Sequence, residues 1–387
     1  MRERLIRSVR EFDAQGWHRT GSRVDNDSAD WLVDRVSEIG FSARLESFEF
    51  DRVIPGESYF EIDGERFEGF PVFDGGFTGP EGVSGRLCLG EGDGDIAVVE
   101  FPPAGAARDV QLLRHSGGYR ALIGVVTGGE TGLAIRNAEY FETRGGPPVL
   151  QVSSSEWDRL VAAADSGASV RVVAQAEVED SSASNVIVRV LGEDPSTHQR
   201  SDAPPLVVMT PRSGWFNCAI ERGGGIACWL EIMELFRDTK PVRDVIFLAT
   251  SGHELGHLGL EAFLELNAEL PGRALASIHL GASIGAAQGW MPRLQTSDED
   301  MEWLALGCFA DVVSNPDFPT LEVVPTGEAR GGEALQIHRR KGRFISVIGG
   351  HDLFHQEGDR WPEAVNVGAL EAYAGALVRV VRALALV

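Results

Sequence analysis

Residues 244–264, DVIFLATSGHELGHLGLEAFL, contain the alternation that decides the fold. The apolar run VIFLA is followed by a turn with polar residues and glycine, and then by apolar residues at helical spacing. This pattern predicts a buried strand that leads into a helix. The same texture continues on both sides: further buried strands are predicted in NVIVRVLG, PLVVMT, ASIHL and RFISVIGG, and helices in GIACWLEIMELFRD and VNVGALEAYAGALVRVVRALALV.

Apolar strands that alternate with helices predict an α/β fold, with a mostly parallel sheet sandwiched by helices. In such sheets, ligands bind outside the carboxyl ends of the strands. The residues that follow VVMT, IFLAT, ASIHL and ISVIGG are therefore the first place to look for a functional site.

The segment 51–182 has a different texture, with short β-like runs between glycine-rich turns. Examples are YFEIDG, RFEGFPVF, GRLCLG and DIAVVEF, followed by a helix-turn-strand pattern at 112–129. A polar stretch at 178–184, VEDSSAS, is typical of a linker. We therefore predict one α/β domain made of 1–50 and 183–387, interrupted by a β-rich inserted domain.

The composition excludes several classes of partner. The 387 residues include 58 acidic and 35 basic residues, a formal charge of −23, which repels phosphate backbones and anionic lipids, so we expect neither nucleic acid nor a membrane as a partner. No run of about 18 apolar residues occurs, and the start of the chain lacks the apolar core of a secretion signal. The four widely spaced cysteines indicate reduced thiols in a cytoplasmic protein. The sequence leaves open whether the protein forms a homo-oligomer.

Within GHELGH, His253, Glu254 and His257 match the HExxH pattern of zinc peptidases. In that pattern, two imidazoles one helical turn apart bind zinc and the glutamate activates a water molecule. The pattern needs a helix, whereas here it directly follows a predicted strand. An HExxH-type zinc peptidase stays open as an alternative function, on the strength of the three residues alone.

The order of motifs along the chain resembles that of the zinc metalloaminopeptidase family, whose members use a co-catalytic zinc pair and which includes the one-zinc glutaminyl cyclases. The resemblance rests on ERGGGIACWLEIMELF, IFLATSGHELGHLGLEAFL, the late FHQEGD, and RTGSRVDNDSADWLVDRVSEIGF near the start. The block at 51–182 is similar to the protease-associated domain that many members carry as an insertion. The resemblance implies a zinc aminopeptidase-like fold and hydrolysis of an amide or peptide-type bond.

The resemblance also implies a metal site that keeps the ligands of only one metal. By position, Glu221 would be the carboxylate that the two metals share, and Glu254 and His355 would be the further ligands of one of them. Pro211 and Gly281 stand where the other metal has its ligands, and neither can bind zinc. The expectation is one divalent metal, zinc, with an open fourth position.

His253 stands at the position of the family's general base, a role that suits a histidine that is neutral near pH 7. Arg212 and Trp215 lie in the loop after PLVVMT, where a guanidinium and an apolar wall would hold a substrate. Further residues at strand ends are candidate auxiliary residues, with core or surface positions as the alternative: His257, His279, His351 and Asp359.

Taken together, these residues predict a metal-dependent hydrolase that acts through a single metal site on an amide or peptide-type bond of a small-molecule or peptide-like substrate. Because the family's usual general base and several of its ligands are replaced, a catalytically inactive binding or scaffold protein is the alternative.

Overall fold

The computed structural model describes residues 1–101, 114 and 118–386. The helix predicted within 112–129 falls largely outside these residues. The strands are β1 (Ala43–Ile62), β2 (Glu65–Pro71), β3 (Val83–Leu89), β4 (Ile96–Phe101), β5 (Ala121–Val126), β6 (Val149–Val152), β7 (Ser169–Val190), β8 (Leu206–Pro211), β9 (Val245–Thr250), β10 (Ala276–Leu280), β11 (Met291–Thr296), β12 (Glu322–Val323) and β13 (Phe344–Gly350). The helices are α1 (Arg2–Asp13), α2 (Arg23–Ile39), α3 (Trp157–Asp165), α4 (Gly223–Glu234), α5 (Leu258–Leu266), α6 (Leu270–Arg273), α7 (Glu299–Cys308), α8 (Ala310–Val313), α9 (Gly332–Arg339) and α10 (Val367–Ala385). None of these described helices is long and apolar enough to span a membrane.

The mostly parallel sheet that the sequence predicts is formed by the strands from β7 onward. Their order is β7-β9-β8-β10-β13-β11-β12, and β9, β8, β10 and β13 are parallel. Adjacent residues of one strand face opposite layers. Val208 and Phe247 pack in a core with α1, α4 and α10, whereas Val207 and Leu248 pack with α5 and α9. Because helices cover both faces, the α/β fold class is confirmed.

Strands β1 and β7 are longer than the sequence predicts. They pair antiparallel from Ala43 opposite Val188 to Glu61 opposite Arg171. The stretch 178–184, predicted as a linker, therefore lies inside β7, which corrects that prediction. Its side chains are mostly exposed, so it lacks the alternation of a half-buried strand although its backbone is paired. The predicted boundaries of the inserted domain fall within this continuous ladder.

Between β1 and β7 the chain builds a further group of strands with a core of its own. The order β2-β6-β5-β4-β3 lies between the two long strands, and the core contains Val98, Ile123 and Leu150. A separate cluster, which includes Phe73 and Trp215, joins this region to the loops of the parallel sheet. The region therefore packs against the edge of the sheet where a ligand is expected.

Candidate functional site

The loop after β9 gives GHELGH a shape that differs from an HExxH helix. His253–Leu255 form one 3-10 turn between two left-handed glycines, Gly252 (φ 82°) and Gly256 (φ 74°). A Cβ on Gly252 would lie 2.8 Å from the Cβ of Leu258, so the turn requires glycine there. His257 is left-handed as well (φ 68°), and α5 begins only after it. The imidazoles of His253 and His257 still meet, with ring centroids 4.7 Å apart.

Glu254 belongs to a separate buried network. Its Oε1 accepts hydrogen bonds from the N–H and O–H groups of Thr20, at 2.8 and 2.7 Å, and its Oε2 accepts one from the hydroxyl of Ser213 at 2.6 Å. The Ser213 oxygen in turn accepts from the backbone N–H groups of Gly252 and His253. Donors hold both carboxylate oxygens, and Glu254 is not part of a group that could hold a metal ion among the described residues, so its contacts are those of a structural anchor and not those of the predicted ligand or general base.

Glu333 contacts two histidines, one in the loop after β9 and one near the end of β10. It lies in the first turn of α9, where the positive end of the helix dipole stabilises a carboxylate. Its Oε1 lies 2.8 Å from Nδ1 of His253, and its Oε2 lies 2.8 Å from Nε2 of His279. Burial alone would raise the pKa of this carboxyl, but the two imidazoles hold it well below its usual range. An ionised carboxylate only accepts hydrogen bonds, so both of these ring nitrogens donate.

The hydrogen bonds of Glu333 give His253 and His279 different roles. Nδ1 of His279 lies 2.8 Å from the hydroxyl oxygen of Ser346, so both of its nitrogens are engaged and it positions Glu333. Nδ1 of His253 is engaged by Glu333, which leaves Nε2 for a ligand. Burial lowers the pKa of His253, helped by the charge of Arg222, and burial also lowers the pKa of His257. Both imidazoles are therefore neutral near pH 7, the form that binds metals.

Within the part of the chain that the structure describes, one group of three side chains could hold a metal ion. It consists of His253, His257 and Glu333, whose ligand atoms lie within 4.8 Å of one another. All three side chains are buried, and Nε2 of His257 has no hydrogen-bond partner among the described residues. Buried polar atoms normally have a partner. Two histidines and one glutamate are the ligands of several catalytic zinc sites, so the donor set fits the metal that the fold resemblance implies.

Glu221 and His355, predicted as ligands of one metal, are grouped instead with a buried cation. Nη2 of Arg222 lies 2.8 Å from Oε1 of Glu221, within ion-pair distance but not aligned for a hydrogen bond. Nε2 of His355 lies 3.4 Å from the same oxygen. Burial alone would raise the pKa of Glu221, but Arg222 and His355 hold it well below its usual range. A guanidinium thus supplies positive charge at the carboxylate, and Glu221, Glu254 and His355 do not form a three-ligand group among the described residues.

Asp359 and His351 support the loops around Glu221. The carboxylate of Asp359 accepts hydrogen bonds from the backbone N–H groups of Ile220 and Glu221, at 3.0 and 2.9 Å. Burial, together with the nearby Glu221 charge, raises the pKa of Asp359 to about 7. Nδ1 of His351 lies 2.9 Å from the hydroxyl of Ser283, and burial lowers the pKa of His351 to about 4. Asp359 therefore holds the backbone of Ile220 and Glu221, and His351 contacts a side chain of the loop after β10; an auxiliary role for both stays a prediction.

Arg212 and Trp215 lie in the predicted loop but are buried, which disfavours the substrate-holding role predicted for them. Arg212 is fully buried, and its Nη1 lies 2.8 Å from a carboxylate oxygen of Asp25. Trp215 packs edge-on against Phe70 and Phe73, and its indole N–H donates to Asn137 at 3.1 Å. A buried guanidinium with a carboxylate partner is a structural ion pair, and the tryptophan anchors the region between β1 and β7.

Three predicted histidines line one cavity of about 560 Å³ at the strand-end edge: His253, His257 and His355. Arg136 and Glu139, from the chain between β5 and β6, complete part of its wall. The other predicted site residues do not line it: Arg212, Trp215, Glu221, Glu254, His279, His351 and Asp359. The cavity is therefore where the candidate metal group and a substrate can meet.

The segment 130–138 fastens the loops on two sides of this cavity. The N–H of Ala138 donates to the carbonyl of Glu254 at 2.8 Å, and the N–H of Ile135 donates to the carbonyl of His355 at 3.1 Å. These bonds join the region between β1 and β7 to both histidine-bearing loops. The region therefore forms part of the site.

No protein-family model matches the sequence, and no curated protein matches it either. Solved structures match almost the whole chain. The zinc aminopeptidase BSAP from Bacillus subtilis gives a TM-score of 0.76 at 14% identity, covering 100% of this chain and 95% of that chain. The aminopeptidase from Aneurinibacillus sp. strain AM-1 gives 0.72 at 16% identity, with 100% and 94% covered. The peptidase M28 precursor from Shewanella amazonensis SB2B gives 0.72 at 15% identity, with 99% and 96% covered. The chain has the zinc aminopeptidase fold.

The zinc aminopeptidase fold confirms the architecture that the sequence resemblance implies, and at these identities the likeness extends to the fold alone.

Two residues of the site were not singled out from the sequence. Arg222 directly follows Glu221, and adjacent opposite charges were the available signal. Glu333 follows two glycines at the start of a helical pattern, but its contact with His253 joins segments 80 residues apart. No local pattern reports such a contact.

Proposed function

We propose that this protein is a hydrolase of amide or peptide-type bonds that uses one divalent metal, zinc. The observation that carries the proposal is the buried group of His253, His257 and Glu333, whose two histidines line the 560 Å³ cavity and whose carboxylate lies behind them. These three side chains would hold the metal, because each Glu333 oxygen accepts one hydrogen bond and keeps a second lone pair. Bound zinc would polarise a carbonyl group and lower the pKa of a water molecule.

In this arrangement His253 is a ligand, and the general-base role moves to another histidine of the same cavity. His355 lies beside the Glu221 carboxylate, at 3.4 Å, and its Nε2 has no hydrogen-bond partner among the described residues. His355 would accept a proton, and the negative charge of Glu221 beside its Nε2 would stabilise the resulting imidazolium. His355 would then donate the proton to the leaving nitrogen.

Backbone strain at His257 and His355 supports a functional role for these two residues. His257 and His355 have φ values of 68° and 60°, a conformation that non-glycine residues rarely adopt and that is concentrated at functional sites. In both residues the strained backbone places the imidazole in the cavity wall. The substrate class that follows is a small-molecule or peptide-like amide that fits this cavity.

The rival function is that of a metal-free binding or scaffold protein. The observation in its favour is Arg222, whose buried guanidinium already neutralises Glu221. Under this rival, His253, His257 and Glu333 would be a hydrogen-bonded core cluster and the cavity would bind a ligand without turnover. Zinc binding by the wild-type chain separates the two functions.

We also propose that residues 51–182 correspond to a protease-associated-like insertion and that the protein works in the cytoplasm. The separate apolar core of this region supports the first proposal. The four cysteines are free thiols, which supports the second because reducing compartments keep thiols unpaired.

The proposed function is tested by release of amine from a panel of N-acyl amino acids and aminoacyl amides by zinc-loaded protein. We expect turnover that a chelator abolishes and added zinc restores. His355→Asn should lower kcat by about 100-fold while zinc stays bound, and the exposed His198→Asn should behave like the wild type. Turnover that survives complete removal of metal, or no turnover of any amide by zinc-loaded protein, would contradict the proposal.

A further inference from the structure

A second cavity lies on the other side of the loop that carries His355. Its volume is about 500 Å³, and it shares no lining residue with the cavity of the candidate metal group. Arg19, Phe70 and Phe216 line it together with Gln356, which follows His355 directly. The two cavities are thus distinct, although one loop contributes to both.

Arg19 is a partly buried cation that makes no ion pair among the described residues, and the charge of Glu254 acts on it only at longer range. Its guanidinium lies 4.7 Å from the ring centre of Trp17 and 4.8 Å from that of Phe70. Its Nε donates to the carbonyl of Trp215 at 3.1 Å, and its two terminal nitrogens have no hydrogen-bond partner in the part of the chain that the structure describes. Burial lowers the pKa of Arg19 to about 10. Among the described residues that line the cavity, Glu357 has the one carboxylate, which is exposed and makes no ion pair with Arg19.

An arginine in this position favours a particular ligand chemistry. Removing a guanidinium from water is unfavourable unless an anion and hydrogen bonds replace the solvent. The planar fork of a guanidinium matches the two oxygens of a carboxylate, and the aromatic rings hold the guanidinium in place. The remaining wall is largely apolar and includes Leu133, Ile135 and Phe216. The ligand that fits is therefore a carboxylate on an apolar body.

We propose that this second cavity, named here the Arg19 cavity, binds a small apolar carboxylic acid whose carboxylate pairs with Arg19 between Trp17 and Phe70. The binding is independent of the proposed hydrolytic function, because the two histidines of the candidate metal group line the other cavity. The carboxylate receives hydrogen bonds from the terminal nitrogens of Arg19, and the apolar body contacts Phe216 and Leu133.

The test uses 3-phenylpropionate and the uncharged 4-phenyl-2-butanone, which has a similar shape and is not an amide. Binding to the full-length protein is measured by isothermal titration calorimetry. We expect 3-phenylpropionate to bind the wild type at least about tenfold more tightly than the ketone, because the ketone lacks the charged pair of oxygens that a guanidinium binds. Arg19→Gln should abolish this preference, and Arg23→Gln, at an exposed arginine of α2, should keep it.

Two further variants keep the test decisive if Arg19→Gln folds poorly. Leu133→Glu places a carboxylate in the Arg19 cavity and should exclude 3-phenylpropionate. His257→Asn alters the other cavity and should leave the affinity for 3-phenylpropionate unchanged. Equal affinities for the acid and the ketone, a preference that survives both Arg19→Gln and Leu133→Glu, or no binding of the acid to the wild type below about 10 mM, would each overturn the proposal.

Discussion

Glu254 illustrates how a residue at a functional position can serve the fold instead. Hydrogen bonds from Thr20 and Ser213 occupy both of its oxygens, so its carboxylate joins the amino-terminal segment to the loops after β8 and β9. Its neighbour His253 faces the cavity. Two adjacent residues that the sequence placed in one site therefore belong to two networks, because the 3-10 turn separates their side chains.

Glu254→Gln should lower the free energy of unfolding by about 2–4 kcal/mol, because an amide nitrogen would face a hydroxyl or N–H donor in a buried network. The matched change Glu261→Gln, which affects a partly exposed pair with Arg340, should cost less than about 1 kcal/mol. Urea denaturation measures both. If Glu254→Gln is no more destabilising than Glu261→Gln, the anchor role is wrong.

His18, which is not part of the candidate metal group, predicts that the free energy of unfolding depends on pH. It is stacked on Phe12 with ring centroids 3.7 Å apart, and burial, together with the charge of Arg212, lowers its pKa from 6.5 to about 3. Neutral His18 therefore contributes stability that is complete above pH 6.5 and is lost as the pH falls from 6.5 towards 3. The slope is at most about 1.4 kcal/mol per pH unit. His18→Gln should flatten the fall in unfolding free energy between pH 7 and pH 5, and an unchanged slope would contradict this assignment.

At the scale of elements, the sequence predicts what local patterns encode. The buried strands β8, β9, β10 and β13 and the long helix α10 follow from apolar runs and helical periodicity. The paired exposed part of β7 and the short helix α9 do not, because their environment comes from distant partners. The candidate site was predicted in part: its strand-end histidines were recognised, whereas Glu333 depends on how the chain between β10 and β13 returns to the same edge.

Trp215 tests how the region between β1 and β7 is attached. Trp215→Ala should lower the free energy of unfolding by about 3–5 kcal/mol, because it empties a buried aromatic cluster with Phe70 and Phe73. The control is Trp303→Ala, at a tryptophan that is 77% exposed, which should change the unfolding free energy by less than about 0.5 kcal/mol. Similar effects of the two changes would mean that Trp215 is no anchor.

For the whole molecule, the β1–β7 ladder connects two regions that the sequence separated into domains. One antiparallel pairing runs through both, and segment 130–138 bonds to both histidine-bearing loops. The region between β1 and β7 is therefore continuous with the parallel sheet. Such continuity favours one cooperative unit over two independent ones.

The metal-free protein should accordingly unfold in one transition. Far-ultraviolet circular dichroism and tryptophan fluorescence should give the same urea midpoint, because the separation of either region breaks the shared ladder. Two resolved transitions, with the region between β1 and β7 unfolding first, would show that the ladder does not couple the two parts.

The measurement that tests the central claim most directly is the zinc content of the wild type, His257→Asn and His355→Asn after zinc loading and dialysis. The two variants are matched: both histidines are buried, both are left-handed and both line the same cavity. A site made of His253, His257 and Glu333 predicts about one zinc per chain in the wild type and in His355→Asn, and none in His257→Asn. Loss of zinc with His355→Asn and its retention with His257→Asn would place the metal at Glu221 and His355, as the sequence resemblance implied, and would contradict the site proposed here. A wild type that binds no zinc would contradict the metal-dependent function itself.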